Sequence, residues 1–113
     1  MKRTHRIMFV CHGNICRSPM AEFLLKDMVK KEGLADRFVI ASAGTSREEL
    51  GNPVHQGTLK KLAQDHISAA GKQAVQLSKE DYDKYDLILG MERVNIRNIL
   101  RIIGSDPQEK VHR

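Results

Sequence analysis

The sequence predicts an α/β fold, a small doubly wound parallel sheet with helices on both faces. Two patterns carry this expectation. Short apolar runs alternate with longer stretches of helical periodicity, and the first such pair is joined by a tight loop containing Gly13 and Asn14. Repetition of strand then helix calls for a parallel sheet, because parallel strands need right-handed crossovers that place helices over both faces.

Each element has its own signal. Arg6 to Val10 reads as a buried strand, its apolar run bounded by charge before it and by Gly13 and Asn14 after it. The loop Cys11 to Arg17 follows. A helix then starts with Ser18 suited to the N-cap and Pro19 to the first helical position, with Ala21, Leu24, Leu25 and Met28 on one face and Gly33 as the stop. Phe38 to Ala41 is a second strand, and Gly44 to Pro53 a polar loop. From Val54 a helix carries Leu59, Leu62 and Ala63 inward. Tyr82 and Tyr85, in Asp81 to Asp86, fit a helical lead-in to the third strand, Leu87 to Gly90. Ile96, Ile99, Leu100 and Ile103 then mark the inner face of a helix that Gly104 closes.

Composition narrows the function. A chain of 113 residues supports one domain and one core, since folding at this size buries only roughly two thirds of the surface the unfolded chain exposes. With 41% hydrophobic and 29% charged residues, neither disorder nor a fibrous architecture is indicated. The two cysteines lie too close in sequence to staple distant parts of the chain, which favours a reducing compartment. Ile7 to Val10 is too short for a signal-peptide core or a membrane span, so a cytoplasmic protein with no membrane partner is expected. The net charge of +5 comes from scattered basic residues, and 4% aromatic content leaves few stacking platforms, so small anions or acidic proteins are expected rather than nucleic acid. None of the five histidines shows metal-ligand spacing, and neither metal nor cofactor is expected.

The chemistry is expected in the first loop. Cys11-His12-Gly13-Asn14-Ile15-Cys16-Arg17-Ser18 places a thiol and a guanidinium six positions apart between a strand and a helix N-terminus. Converging backbone N–H groups of His12, Gly13, Asn14, Ile15, Cys16 and Arg17, with the positive end of the helix, suit a tetrahedral oxyanion. Arg17 adds bidentate charge-assisted hydrogen bonds. Cys11 faces that field, which favours a nucleophilic thiolate, and the Ser18 hydroxyl can donate to its sulfur. A cysteine ending a strand is ordinarily just a small buried apolar residue. Arg17 and the intervening loop argue otherwise here.

In Val10-Cys11-His12-Gly13-Asn14-Ile15-Cys16-Arg17-Ser18-Pro19 the sequence resembles the low-molecular-weight protein tyrosine phosphatases, with their Cys-x5-Arg-Ser motif. The resemblance continues through Met20-Ala21-Glu22, Ser42-Ala43-Gly44-Thr45 and Asp86-Leu87-Ile88-Leu89-Gly90-Met91. It implies a phosphocysteine mechanism in which Cys11 attacks phosphorus, Arg17 holds the equatorial oxygens and Ser18 stabilises the thiolate. Asn14 would hold the loop's shape with Ser42, while Gly71 stands at the position of a supporting histidine. In relatives the pair matching Cys11 and Cys16 can close a reversible disulfide. Some members carry an aromatic residue on the cleft wall, where this chain has Arg47-Glu48-Glu49-Leu50. The implied partners are a phosphotyrosine protein or a small aryl phosphate, with inorganic phosphate or sulfate also held in the loop.

The family keeps its general acid in an Asp-Pro-aromatic loop beyond a fourth strand. This chain reaches Val111-His112-Arg113 where that strand would begin, and Asp106-Pro107 is followed by Gln108, matching the turn before the strand. The expectation is therefore one domain over residues 1–113, incomplete at the C-terminus, with three strands present and the fourth strand and last helix missing. Catalysis would be impaired. The third strand's edge, Leu87 to Gly90, and the apolar surface around Ile99 and Ile103 would be uncovered and prone to self-association. The alternative is a non-catalytic phosphate-binding or phosphocarrier module. An arsenate reductase is disfavoured because no cysteine follows Cys16, and a protein-arginine phosphatase because Ile15 stands where those enzymes carry threonine.

Overall fold

The computed structural model describes residues 4–113, leaving part of the basic N-terminal segment outside the described residues. Strand β1 (His5–Cys11) leads into helix α1 (Arg17–Lys31), and a 3-10 turn (Ala35–Arg37) precedes β2 (Phe38–Gly44). Helices α2 (Gln56–Gln64) and α3 (Asp81–Lys84) come next, then β3 (Leu87–Gly90), α4 (Arg93–Ile103) and β4 (Val111–His112). The sheet order is β2-β1-β3-β4, with every pairing parallel. The chain leaves β1 for one side and returns to its other side as β3, so the C-terminal end of β1 lies at a switch in connection direction. In open parallel sheets that is where ligands bind.

Alternation along the strands assigns the helices to faces. Ala43 of β2 packs with Met8, Val10, Ile88, Ile99 and Ile103 under α4, whereas the adjacent Ser42 meets Glu22 of α1 on the opposite face. Val54, Leu62 and Ala69 form a second cluster with Met20 and Phe23, joining α2 to α1. Among the described residues no helix is long and apolar enough to cross a membrane.

Several expectations are corrected. The three-stranded sheet with a missing fourth strand and last helix is not borne out. β4 pairs with β3 through Ile88↔Val111 and Leu89↔His112, and the Ile88 amide donates to the Lys110 carbonyl at 2.9 Å. The edge expected to be bare is thus occupied, and Ile99 and Ile103 are buried, which removes the grounds for self-association there. The physical reason is local: the Asp106 carboxylate accepts from the Lys110 and Val111 amides at 2.7 and 3.0 Å, turning the chain so that two residues can join the ladder.

In α1 the buried residues are Ser18, Pro19, Glu22 and Val29, while Leu24 and Met28 are exposed. The apolar periodicity misassigned the face because a carboxylate, Glu22, is held inside by polar partners. Leu100 of α4 and Ala63 of α2 likewise face outward. α2 begins at Gln56 after the buried Val54, with His55 as N-cap, its Nδ1 accepting from the Gly57 amide at 3.1 Å.

Candidate active site

β1 delivers Cys11 to its C-terminal end and α1 opens at Arg17, so residues 12–16 form the connecting loop. The loop's carbonyls are tied outward. Cys11 and His12 accept from the Thr45 and Ser46 amides at 3.0 and 2.9 Å, Ile15 accepts from the His55 amide at 2.7 Å, and Cys16 accepts from the Met20 amide at 3.1 Å. None of the N–H groups of residues 12–16 is engaged with an acceptor among the described residues. Carbonyls held out and amides left free are what an oxyanion cradle requires.

Asn14 makes the turn. Its φ of 62° is left-handed, a region asparagine tolerates better than most side chains. The side chain locks the conformation: Nδ2 donates to Ser18 Oγ and Ser42 Oγ, both at 2.9 Å, and Oδ1 accepts from the Val75 amide at 3.0 Å. Close approach of β2 helps to set the loop's position. A Cβ at Gly44 would lie 2.7 Å from the His12 carbonyl oxygen and 3.1 Å from the Asn14 nitrogen.

Cys11 is buried, its Sγ 3.0 Å from Ser18 Oγ. Because Ser18 Oγ accepts from Asn14, its own hydrogen remains free to donate to sulfur, with the Ala43 carbonyl at 3.4 Å as the longer alternative. This arrangement overturns the expectation of Ser18 as helix N-cap. Cys16 occupies the cap, no side chain caps α1, and Ser18 lies within the first turn with its hydroxyl directed to the thiol and Asn14. The uncapped helix end keeps its N–H groups available to the loop.

Arg17 projects from the helix start and pairs with Glu92 at the N-cap of α4, Nη2 to Oε1 at 2.6 Å, each about half exposed. That bond holds the Glu92 carboxyl below its ordinary range and raises the Arg17 guanidinium above its own. His12 is exposed at the rim and reaches Glu48 at 3.3 Å; Gly13 lies beside Glu49. Ile15 is half-buried. Cys16 is exposed, its sulfur accepting from Thr58 Oγ1 at 3.3 Å, and both cysteines are free thiols.

The fold therefore brings together Cys11, the loop from His12 to Cys16, Arg17, Ser18 and Ser42. Asp106 is held elsewhere. It accepts from Tyr82 Oη at 2.7 Å and from two amides of the turn before β4. Burial pushes its carboxyl up, but the bonds from Tyr82, Lys110 and Val111 outweigh that and hold it below the ordinary value. Sequence reasoning missed three participants: Glu22, Lys72 and Glu92. Ser42 Oγ donates to the buried Glu22 Oε1 at 2.5 Å, and Lys72 Nζ stands 3.7 Å from the same oxygen. Gly71, exposed with a φ of 88°, contributes no side chain to this support. The available signal was a carboxylate four residues after Ser18, on the same side of the helix.

Comparison with known proteins bears directly on this arrangement. The family model described as low molecular weight phosphotyrosine protein phosphatase matches residues 6–113. The Bacillus subtilis low molecular weight protein-tyrosine-phosphatase YfkJ is 42% identical over 98 residues, covering 87% of this chain and 63% of that protein. Its crystal structure superposes with a TM-score of 0.90 at 38% identity, over 96% of this chain and 68% of the other. The Schizosaccharomyces pombe low molecular weight phosphotyrosine protein phosphatase is 39% identical over 112 residues, 98% of this chain and 71% of that protein. The structure of the tyrosine phosphatase Wzb from Escherichia coli K30, in complex with sulphate, gives a TM-score of 0.79 at 25% identity, over 96% of this chain and 70% of the other. The chain thus spans roughly two thirds of the length of these relatives. The family match runs to the last residue and the fourth strand is present, so the expectation of a truncated member finds no support. With the loop geometry, the family match and these similarities in agreement, the chain belongs to the low molecular weight phosphotyrosine protein phosphatase family.

Proposed function

We propose that this chain is a phosphomonoester hydrolase of the protein-tyrosine-phosphatase type, acting through a phosphocysteine intermediate. The observation that carries the reading is the Cys11 sulfur, 3.0 Å from the Ser18 hydroxyl, below a loop whose amides have no protein acceptor. Cys11 Sγ attacks phosphorus, a sulfur–phosphorus bond forms, and the ester oxygen departs with its electron pair, taking a proton from solvent when no side chain supplies one. Water then attacks phosphorus, loses a proton, and expels the thiolate with release of inorganic phosphate. Arg17 and the amides of residues 12–17 carry the charge on the equatorial oxygens throughout. Arg17 turns from Glu92 to the phosphoryl group, which requires only the exchange of one half-exposed ion pair. The Ser18 hydroxyl stabilises the departing thiolate, and Asn14 with Ser42 fixes the loop.

The substrate class we assign is a phosphotyrosine protein or a small aryl phosphate. His12 meets Glu48 at 3.3 Å, and both are exposed, as are Arg47 and Leu50 of the segment after β2, so charged and apolar side chains near the loop are free to meet a substrate. That the related Wzb was obtained in complex with sulphate supports oxyanion binding by this chain. Asp106, the only aspartate followed by proline in these 113 residues, is committed to the β4 turn. We therefore assign the chain weak proton donation to the leaving group and an impaired rate on poor leaving groups. That same observation favours the second reading, a phosphate-binding or phosphocarrier module in which the phosphocysteine is not turned over.

Turnover of p-nitrophenyl phosphate by wild type, set beside Cys11→Ser, separates the two. Steady phosphate release, lost in Cys11→Ser, supports the hydrolase. Stoichiometric release of nitrophenol without further turnover identifies the carrier. In parallel, isothermal titration with sulfate or vanadate should show binding that Arg17→Ala removes. No binding to wild type would overturn both readings.

A further inference from the structure

We propose that the cavity between helix α4 and the segment after β2 is a second oxyanion subsite, taking a carboxylate or phosphoryl group that a phosphotyrosine substrate carries beside the scissile phosphate. This assignment rests on the phosphatase reading of the first loop and adds to it a chemical feature of the substrate.

The cavity measures about 190 Å³ and is lined by His12, Thr45, Ser46, Asn98, Arg101 and Ile102. Sites for whole organic ligands run to about 300–1,000 Å³, so this one suits a single charged group rather than a ring. It adjoins the proposed nucleophile through the backbone. The Thr45 amide donates to the Cys11 carbonyl at 3.0 Å and the Ser46 amide to the His12 carbonyl at 2.9 Å. His12, exposed at the rim, belongs to both the loop and the cavity, so groups adjoining a phosphate in the loop pass close to the opening.

No residue of the lining carries a negative charge, and four of its side chains have donors to spare. Arg101 is exposed, and among the described residues no carboxylate lies within ion-pair reach of it. Its planar fork suits a carboxylate or a phosphoryl group. Asn98 is half-buried, and its side-chain amide has no partner among the described residues. Asn98, Arg101 and Ile102 share one face of α4 by their spacing, and Ile102 packs against the core, which holds that face in place. From the other wall, Ser46 Oγ accepts the Glu48 amide at 2.9 Å and keeps its own hydrogen free. Thr45 Oγ1 is buried without any partner among the described residues. A buried hydroxyl is ordinarily satisfied, and an oxyanion in the cavity supplies the missing acceptor. The carboxylate bonded to the lining is Glu48, 3.3 Å from His12; it is exposed and can swing aside.

Peptide binding to the Cys11→Ser variant, followed by fluorescence anisotropy, reads the subsite without turnover. A single glutamate is moved through the positions on either side of phosphotyrosine in an otherwise neutral peptide, with glutamine at the same position as control. At one position glutamate should bind about tenfold tighter than glutamine, the gain expected from a charge-assisted pair. Arg101→Met should erase that gain and leave the glutamine peptide unchanged; Arg101 is exposed, so the variant keeps its fold. Turnover of p-nitrophenyl phosphate, which has no second acidic group to place, should also be unchanged in Arg101→Met. Lys60→Met removes the same charge from the exposed side of α2, across the sheet from α4, and should retain the gain. A gain lost equally in Lys60→Met would reduce it to net charge, and no gain at any position would exclude the subsite; either result overturns the proposal. Calorimetry with sulfate tests the other source of an oxyanion. A second sulfate per wild-type chain, lost in Arg101→Met, with no advantage for glutamate would assign the cavity to a free anion and overturn its link to substrate. Failure of every peptide to bind would overturn the phosphatase reading and the subsite with it, whereas equal binding of the glutamate and glutamine peptides strikes the subsite alone.

Discussion

At the scale of single residues, the loop separates two cysteines that the sequence places side by side. Cys11 is buried at the strand end, 3.0 Å from a hydroxyl and facing the open end of α1, whereas Cys16 is exposed and receives only the Thr58 hydroxyl. In the proposed mechanism Cys11, at the strand end with the Ser18 hydroxyl against its sulfur, is the nucleophile, and Cys16 is not. Iodoacetamide at pH 5.5 should therefore modify Cys11 much faster than Cys16, and added sulfate should protect Cys11 selectively; peptide mapping after timed quenching checks both. Equal rates would refute the assignment. Gly44 yields a second prediction. Its Cβ would press on the backbone of residues 12–14, and backbone cannot step aside as a flexible side chain can. Gly44→Ala should weaken sulfate binding by about tenfold or more, as misplaced amides lose charge-assisted bonds of about 1.5–3 kcal/mol each. Calorimetry on the folded variant measures it.

Legibility at this scale followed sequence distance. Cys11, Arg17 and Ser18 could be read because a strand–loop–helix unit brings together residues that are already neighbours in sequence. Lys72 and Glu92 could not, because the first arrives from the stretch after α2 and the second from the start of α4, and no local pattern encodes such meetings. Ser18 was misread for a different reason. A serine before a proline has the signature of an N-cap, but its hydroxyl has two better partners in Asn14 and Cys11.

At the scale of elements, β3 was legible to the residue, since Leu87 to Gly90 is an apolar run with charge before it, and β4 was not. A two-residue strand has no periodicity; it exists because Asp106 folds the chain back. Asp106→Asn leaves a weaker acceptor for two amides and the Tyr82 hydroxyl, and should destabilise the fold by about 1–2 kcal/mol at pH 6. Because the fold holds this carboxyl below its ordinary value, its stabilisation is fully present above the unfolded value of about 3.9 and is lost as pH falls through the lower folded value. The gap in thermal stability between wild type and Asp106→Asn should thus be widest near neutrality and close below about pH 4. A gap unchanged with pH would show that charge is not what holds the turn. Helix α4 offers a comparison of buried against exposed positions. Ile99→Ala should cost about 2–5 kcal/mol as a core truncation, and Leu100→Ala within about 0.5 kcal/mol, although both fit the apolar period.

At the scale of the whole molecule, the parallel order β2-β1-β3-β4 puts the C-terminal end of β1, where the proposed attack takes place, in the middle of the sheet. In the proposed mechanism Cys11, the loop amides and Arg17 all come from the β1–α1 unit, with Asn14 and Ser42 as braces, so positioning and electrostatic stabilisation would be local. A proton for the departing oxygen is not supplied there, and Asp106 lies in the turn that feeds β4, bonded to Tyr82. A positioned acid contributes typically about 10²–10⁴-fold, and matters in proportion to how basic the departing oxygen is. The 113-residue chain should therefore hydrolyse a nitrophenyl phosphate slowly and an unactivated phenyl phosphate hardly at all, with log kcat falling steeply against leaving-group pKa. Cys11→Ser should abolish the whole series. Asp106→Asn, once corrected for folded fraction, should leave every member of it unchanged, because its carboxylate is spent on the turn rather than the substrate. A set of substituted phenyl phosphates at fixed pH decides the matter. A shallow slope in wild type that turns steep in Asp106→Asn would mean that the turn opens in solution and that Asp106 reaches the leaving oxygen after all.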